Sequence, residues 1–158
     1  MKNININDYF KLDDNHSKIR GFVFCRDSSG NFIFNKENMI VKTGRNLILD
    51  TITGGSSALN LKNLNAYINN SKDFVTEADV FNTEDNWIEL SKVSELPTID
   101  STNLVVHYTF NTADLEISGK YSSLCLATSN EILFSRVIFQ SINVSADEVY
   151  TFDYYLSF

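Results

Sequence analysis

The side chains able to do acid–base, nucleophilic or metal chemistry are few and scattered. There are two histidines, His16 and His107, and two cysteines, Cys25 and Cys125. A zinc centre needs three or four His, Cys or carboxylate ligands at close spacing. Neither histidine has a cysteine or a second histidine nearby in sequence. His107 is therefore expected to be a packed or surface strand residue. No Gly-x-Ser-x-Gly elbow presents a nucleophile. Thr43-Gly44-Arg45 lacks the glycine-rich lead-in and the Lys-Ser/Thr pair of a phosphate loop, so Gly44 reads as a turn before a helix.

Acidic residues offer more material but little pattern. Glycoside hydrolysis needs two carboxyls roughly 5–9 Å apart across a cleft. Asp13-Asp14 and Glu84-Asp85 are adjacent acids in polar stretches and read as solvated surface. Glu77, Asp79, Asn82, Glu84, Asp85 and Asn86 could supply oxygen ligands to calcium, but not at the spacing of a calcium loop. Trp87, with Tyr67 and Tyr121, could stack on a sugar, although a ring of this kind more often anchors a core or an interface. The chain is expected to be non-enzymatic, with no cofactor and no metal.

The elements that would hold these residues are strands. Twelve Phe and seven Tyr stand beside one Trp and one Pro, and aromatic and β-branched residues fit a pleated, half-buried surface. Residues 1–18 form a polar N-terminal arm, and residues 19–158 a single β-sandwich domain. Residues 21–35 predict a hairpin about Asp27-Ser28-Ser29-Gly30, with Phe22, Phe24, Phe32 and Phe34 facing one hydrophobic layer. Met39-Ile40-Val41 predicts a short strand. One helix of about two turns is expected near residues 44–53, with Thr43 as N-cap and Gly54-Gly55 as its stop. Leu64–Ile68 is a weak strand. Residues 70–95 give mixed signals, with a short strand at Trp87–Leu90. Strands are expected at 103–110, 121–128, 132–141 and 149–158, the last two joined as a hairpin through Ser145–Glu148. In the final run Tyr150, Phe152, Tyr154 and Leu156 alternate with polar positions, as in an antiparallel sheet. Seven to nine strands and one short helix specify an all-β antiparallel sandwich.

Composition narrows the partners. Net charge is −7 and the isoelectric point about 4.7. A surface of that sign repels phosphates and anionic lipid, so neither nucleic acid nor membrane is an expected partner. No apolar run approaches the roughly 20 residues of a membrane span. The first residues, Met1-Lys2-Asn3-Ile4-Asn5, lack a signal-peptide core, which predicts synthesis in the cytoplasm and no export by that route. In that reducing compartment Cys25 and Cys125 are expected to be buried free thiols.

Two segments carry a resemblance. Asn38–Leu49, with its Asn-Met-Ile-Val, Gly-Arg and aliphatic helix, is similar to a segment of bacteriophage minor structural and tail-associated proteins. Ile132–Phe139 (Ile-Leu-Phe-Ser-Arg-Val-Ile-Phe), followed by the alternating run Val149–Phe158, is similar to the closing strands of the same family. The resemblance implies a virion structural protein of a tail, collar or fibre assembly, made in the host cytoplasm. Its partners would be other virion proteins, homo-oligomerisation is expected, and there are no catalytic residues to carry over. The alternative is a fibre module that binds host-surface glycan. Phe22, Phe32, Arg45, Trp87, Arg136 and Phe158 are the interface candidates. Arg45 and Arg136 would pair with carboxylates of this chain or of a neighbour.

Overall fold

A computed structural model describes residues 19–54, 63–113 and 115–158. The polar arm at 1–18 and His16 lie outside them. The elements are β1 (Arg20–Arg26), β2 (Phe32–Ile40), α1 (Lys42–Thr53), β3 (Asn65–Asn69), β4 (Ile88–Glu89), β5 (Ser91–Lys92), β6 (Thr98–Asp100), β7 (Val105–Asn111), β8 (Gly119–Ala127), β9 (Leu133–Val144) and β10 (Thr151–Ser157). The fold is all-β with one short helix, as the sequence predicted.

Every pairing between these strands is antiparallel. The order is β4-β3-β8-β9-β2-β1-β10-β7-β5, with β6 beside β5 on the same edge of β7. Two extended runs turn the corners between layers. The first part of β2 pairs with β1, while Met39 and Ile40 pair with β9. At the other margin β4 pairs with β3 and β5 with β7, and only Leu90 separates them. The Leu90 N–H donates to Ala66, and the Val93 N–H to Thr109. One extended run thus bonds both layers, so the sandwich is nearly closed into a barrel. Near-closure leaves only short edges, at β4, β5 and β6, where longer ones would act as pairing templates.

The core lies between the layers. Val23, Cys25, Tyr108, Phe110, Phe152, Tyr154 and Leu156 from one layer meet Ala66, Ile68, Leu124, Leu126, Val137 and Phe139 from the other. The Tyr154 and Ser135 hydroxyls, 3.0 Å apart, join the layers through a buried hydrogen bond. Cys25 and Cys125 are buried and free, and burial pushes both thiols far up.

Several local expectations change. The four hairpin rings do not share a layer. Cross-strand partners share a face, and the register sets Cys25 opposite Phe34. Phe34 therefore joins the core beside Phe139, at 4.4 Å between ring centroids. Phe22 and Phe24 lie on the opposite, outer face, where neighbouring side chains bury them, and Phe32 is half exposed. Met39-Ile40 ends β2 and is not a separate strand.

The helix begins earlier and runs longer than predicted. Its N-cap is Val41, and the Thr43 hydroxyl instead donates to the Leu133 carbonyl at 2.5 Å. Gly54 ends it in the left-handed conformation. Gly44 is not a turn. It lies inside the helix, where an added Cβ would stand 2.2 Å from the Phe134 carbonyl oxygen. That close approach lets α1 pack against β9.

The turn at Ser145–Glu148 is tight, but it does not make a hairpin of β9 and β10. Those strands belong to different layers, and β10 lies between β1 and β7. The C-terminal strand is thus interior, and the Phe158 N–H closes on the Leu104 carbonyl at 3.0 Å.

Candidate functional site

Two side-chain constellations lie on the outer faces of the barrel, one on each layer. The first is built on β9, β8 and β3. Pairing places Tyr67, Cys125 and Arg136 in one row, directed away from the core. Residues 70–87 run over this row. Their only regular element is a 3-10 turn at Thr83–Asp85, started by the Asn82 side chain accepting from the Glu84 N–H. Under this segment Phe81 meets the edge of Tyr67 at 5.2 Å and stacks on Trp87 at 6.1 Å between centroids. With Val41, Cys125 and Leu133 they form a second, smaller apolar cluster.

Two arginines hold the segment down. Arg136 is 9% exposed. Its guanidinium donates to Ser123 (3.2 Å), Asp79 (3.3 Å) and Ser71 (3.0 Å). It also lies 5.7 Å from the Trp87 ring centroid, a placement worth roughly 0.5–1 kcal/mol. Arg45, on α1, meets Glu77 at 3.1 Å. The Lys42 N–H, at the start of α1, donates to the Glu77 carbonyl at 2.8 Å. That bond satisfies one of the N–H groups a helix start leaves open. The Asp79 carboxylate also closes its own turn, accepting from the Thr76 N–H and hydroxyl. Both arginines therefore pair within the chain, with carboxylates two residues apart.

This is where the sequence-predicted residues converge. Arg45, Trp87 and Arg136 meet at one segment. The acids considered for calcium are used differently. Glu77 and Asp79 serve the arginines, and no group of three potential metal ligands occurs among the described residues. Trp87, Tyr67 and Tyr121, the rings considered for sugar stacking, are each partly buried against neighbours. Phe22, Phe32 and Phe158 lie elsewhere. Phe22 sits 5.1 Å beneath the Arg20 guanidinium, Phe32 opens β2, and Phe158 packs on the main core.

The second constellation lies on the outer face of β7, β10 and β1, and the sequence reading missed it. Register places Asp153 between Thr109 and Phe24, and Tyr155 between His107 and Phe22. Asp153 is the hub, with its side chain 8% exposed. It accepts from His107 Nε2 at 2.9 Å, from the Thr109 hydroxyl at 3.0 Å and from Arg26. The His107 ring stacks on Tyr155 at 4.3 Å, and Phe24 meets Tyr155 edge-on at 5.6 Å. Burial raises the Asp153 carboxyl, but the His107 bond, the Arg26 charge and the Thr109 bond outweigh it. The group titrates below the ordinary carboxylate value. The polar alternation of 107, 109 and 153 was legible. Their adjacency was not, because β7 and β10 are distant in sequence.

Chemically, both constellations are closed on themselves: each cation faces a carboxylate of the same chain. Comparison with protein-family models, with curated proteins and with solved structures returns no match.

Proposed function

We propose that the chain is a non-catalytic structural component of a bacteriophage particle, in a tail, collar or fibre assembly, acting through protein–protein interfaces. It would be made in the host cytoplasm and incorporated into the virion. The observation that carries the reading is where the two resembling segments lie. Gly44 packs on the Phe134 backbone and Thr43 bonds Leu133, so the two segments form one unit. Their arginines, Arg45 and Arg136, are used to position residues 70–87. A motif pair spent on fixing a surface segment suits a protein that presents a surface.

The test is compositional. Particles purified from a host carrying the gene should contain the 18.0 kDa chain in fixed proportion to known virion proteins, and its absence sinks the reading. Light scattering across a concentration series should give a discrete multiple of the chain mass if the chain assembles with itself. A monomer at all concentrations would assign assembly to a different partner.

A further inference from the structure

The geometry points to the surface of residues 70–89, with Phe74 as its anchor, as the docking site for a second protein whose contact surface is an apolar pocket ringed by lysine and arginine. This deepens the reading above and rests on the protein acting through interfaces. The first observation is Phe74 itself, 92% exposed, with Val80 in the same segment at 66%. An isolated exposed apolar residue is ordinary. A phenylalanine left almost wholly in water on a fixed backbone is not.

The backbone is fixed on both sides of it. Before Phe74, Ser71 takes a hydrogen bond from Arg136 on its hydroxyl and one from Ser122 on its carbonyl. The Asp73 N–H returns to the Ser71 hydroxyl at 3.2 Å. After Phe74, Glu77 is held by Lys42 and Arg45, and Asp79 by Arg136. Phe74 is thus presented by a segment tethered on both sides. Little ordering remains to be done on binding, which lowers the entropic cost of association. Large rings in such positions are the usual energetic centres of protein interfaces.

Charge selects the partner. Residues 70–89 hold six carboxylates (Asp73, Glu77, Asp79, Glu84, Asp85 and Glu89) and one lysine, Lys72. Arg45 and Arg136 compensate Glu77 and Asp79, which leaves four carboxylates against one lysine, a net charge of −3 on this surface. Asp73, Glu84, Asp85 and Glu89 are exposed. Such a surface repels nucleic acid, anionic lipid and other acidic proteins, and it steers a basic one.

The experiment places a photo-reactive benzophenone side chain at position 74 of the full chain, in the cells that produce the particle. The expected result is one adduct with a different protein, mapped to an apolar pocket flanked by lysine and arginine. With that partner purified, Phe74→Ser should weaken the complex about tenfold or more and leave the melting temperature unchanged. The pair Glu84→Gln and Asp85→Asn should slow association and flatten its salt dependence. No adduct, an adduct only with lipid or with a second copy, a neutral or acidic pocket, or full affinity in Phe74→Ser overturns the proposal. Failure here is separable from failure of the virion reading. A chain present in particles but unreactive at position 74 refutes only this surface.

Discussion

The two outer faces of the barrel solve the same problem differently. Each buries part of a charged side chain outside the main core. On the β9 face the charge is Arg136, sealed by an overlying segment and shared among Asp79, Ser71, Ser123 and the Trp87 ring. On the β10 face the charge is Asp153, and its partners His107, Thr109 and Arg26 come from neighbouring strands of the same sheet. The first arrangement ties a long segment to the barrel. The second ties strands that backbone pairing already joins. Loss of Arg136 should therefore release structure, whereas loss of Asp153 should mainly remove a local interaction.

The largest effect is expected from Gly44→Ala. The new Cβ would meet the Phe134 backbone, and neither helix nor strand can yield cheaply. A loss of about 3 kcal/mol is expected, read as a shifted urea midpoint. A shift under roughly 0.5 kcal/mol would mean that α1 is not seated as described.

Arg136→Ala comes next, at about 2–3 kcal/mol, because it strands the part-buried Asp79 and uncovers Trp87. It should also open residues 70–87 to limited proteolysis, and wild type should resist cleavage there. Asp153→Asn should cost less, about 1–2 kcal/mol, since its Arg26 partner is nearly half exposed, and no new cleavage site should appear. Equal costs, or cleavage in both variants, would erase the contrast between the faces.

The pH dependence sharpens it. The folded pKa of Asp153 lies below its unfolded value. The stabilisation is therefore fully present above that unfolded value and is lost as pH falls through the depressed one. Denaturation midpoints compared at pH 6 and pH 3 should show a smaller acid loss in Asp153→Asn than in wild type. An identical acid loss would remove Asp153 from the account. The smallest effect is expected from Arg45→Ala, at or below about 0.5 kcal/mol, because its pair with Glu77 is exposed on both sides. A cost matching that of Arg136→Ala would show that the two clamps are not graded by burial.

Local sequence determined much of this. Alternation set the inward face of β10, with Phe152, Tyr154 and Leu156 in the core. Gly54 set the end of α1, and the aromatic runs about Asp27–Gly30 set the first hairpin. These signals act over a few residues, through the period of the strand and the conformational freedom of glycine. The strand Thr98–Asp100 was missed. It is three residues long, wholly exposed, and carries no alternating apolar pattern.

What only the tertiary structure decided depends on contacts between distant residues. Period 2 put Phe22 with Phe24 and Phe32 with Phe34, but the hairpin register and its shift between Cys25 and Arg26 decided that Phe34 alone of the four joined the main core. The sequence offered Arg45, Arg136 and a run of acids, yet pairing of β9 with β8 and packing of α1 on β9 brought them to Glu77 and Asp79. Asp153 met His107 because β10 settled between β1 and β7, although the turn before it favoured a hairpin with β9. A turn fixes the direction of the chain over a few residues. Which strand lies beside which is decided by burial of the whole sheet, a sum over residues far apart that no local pattern encodes.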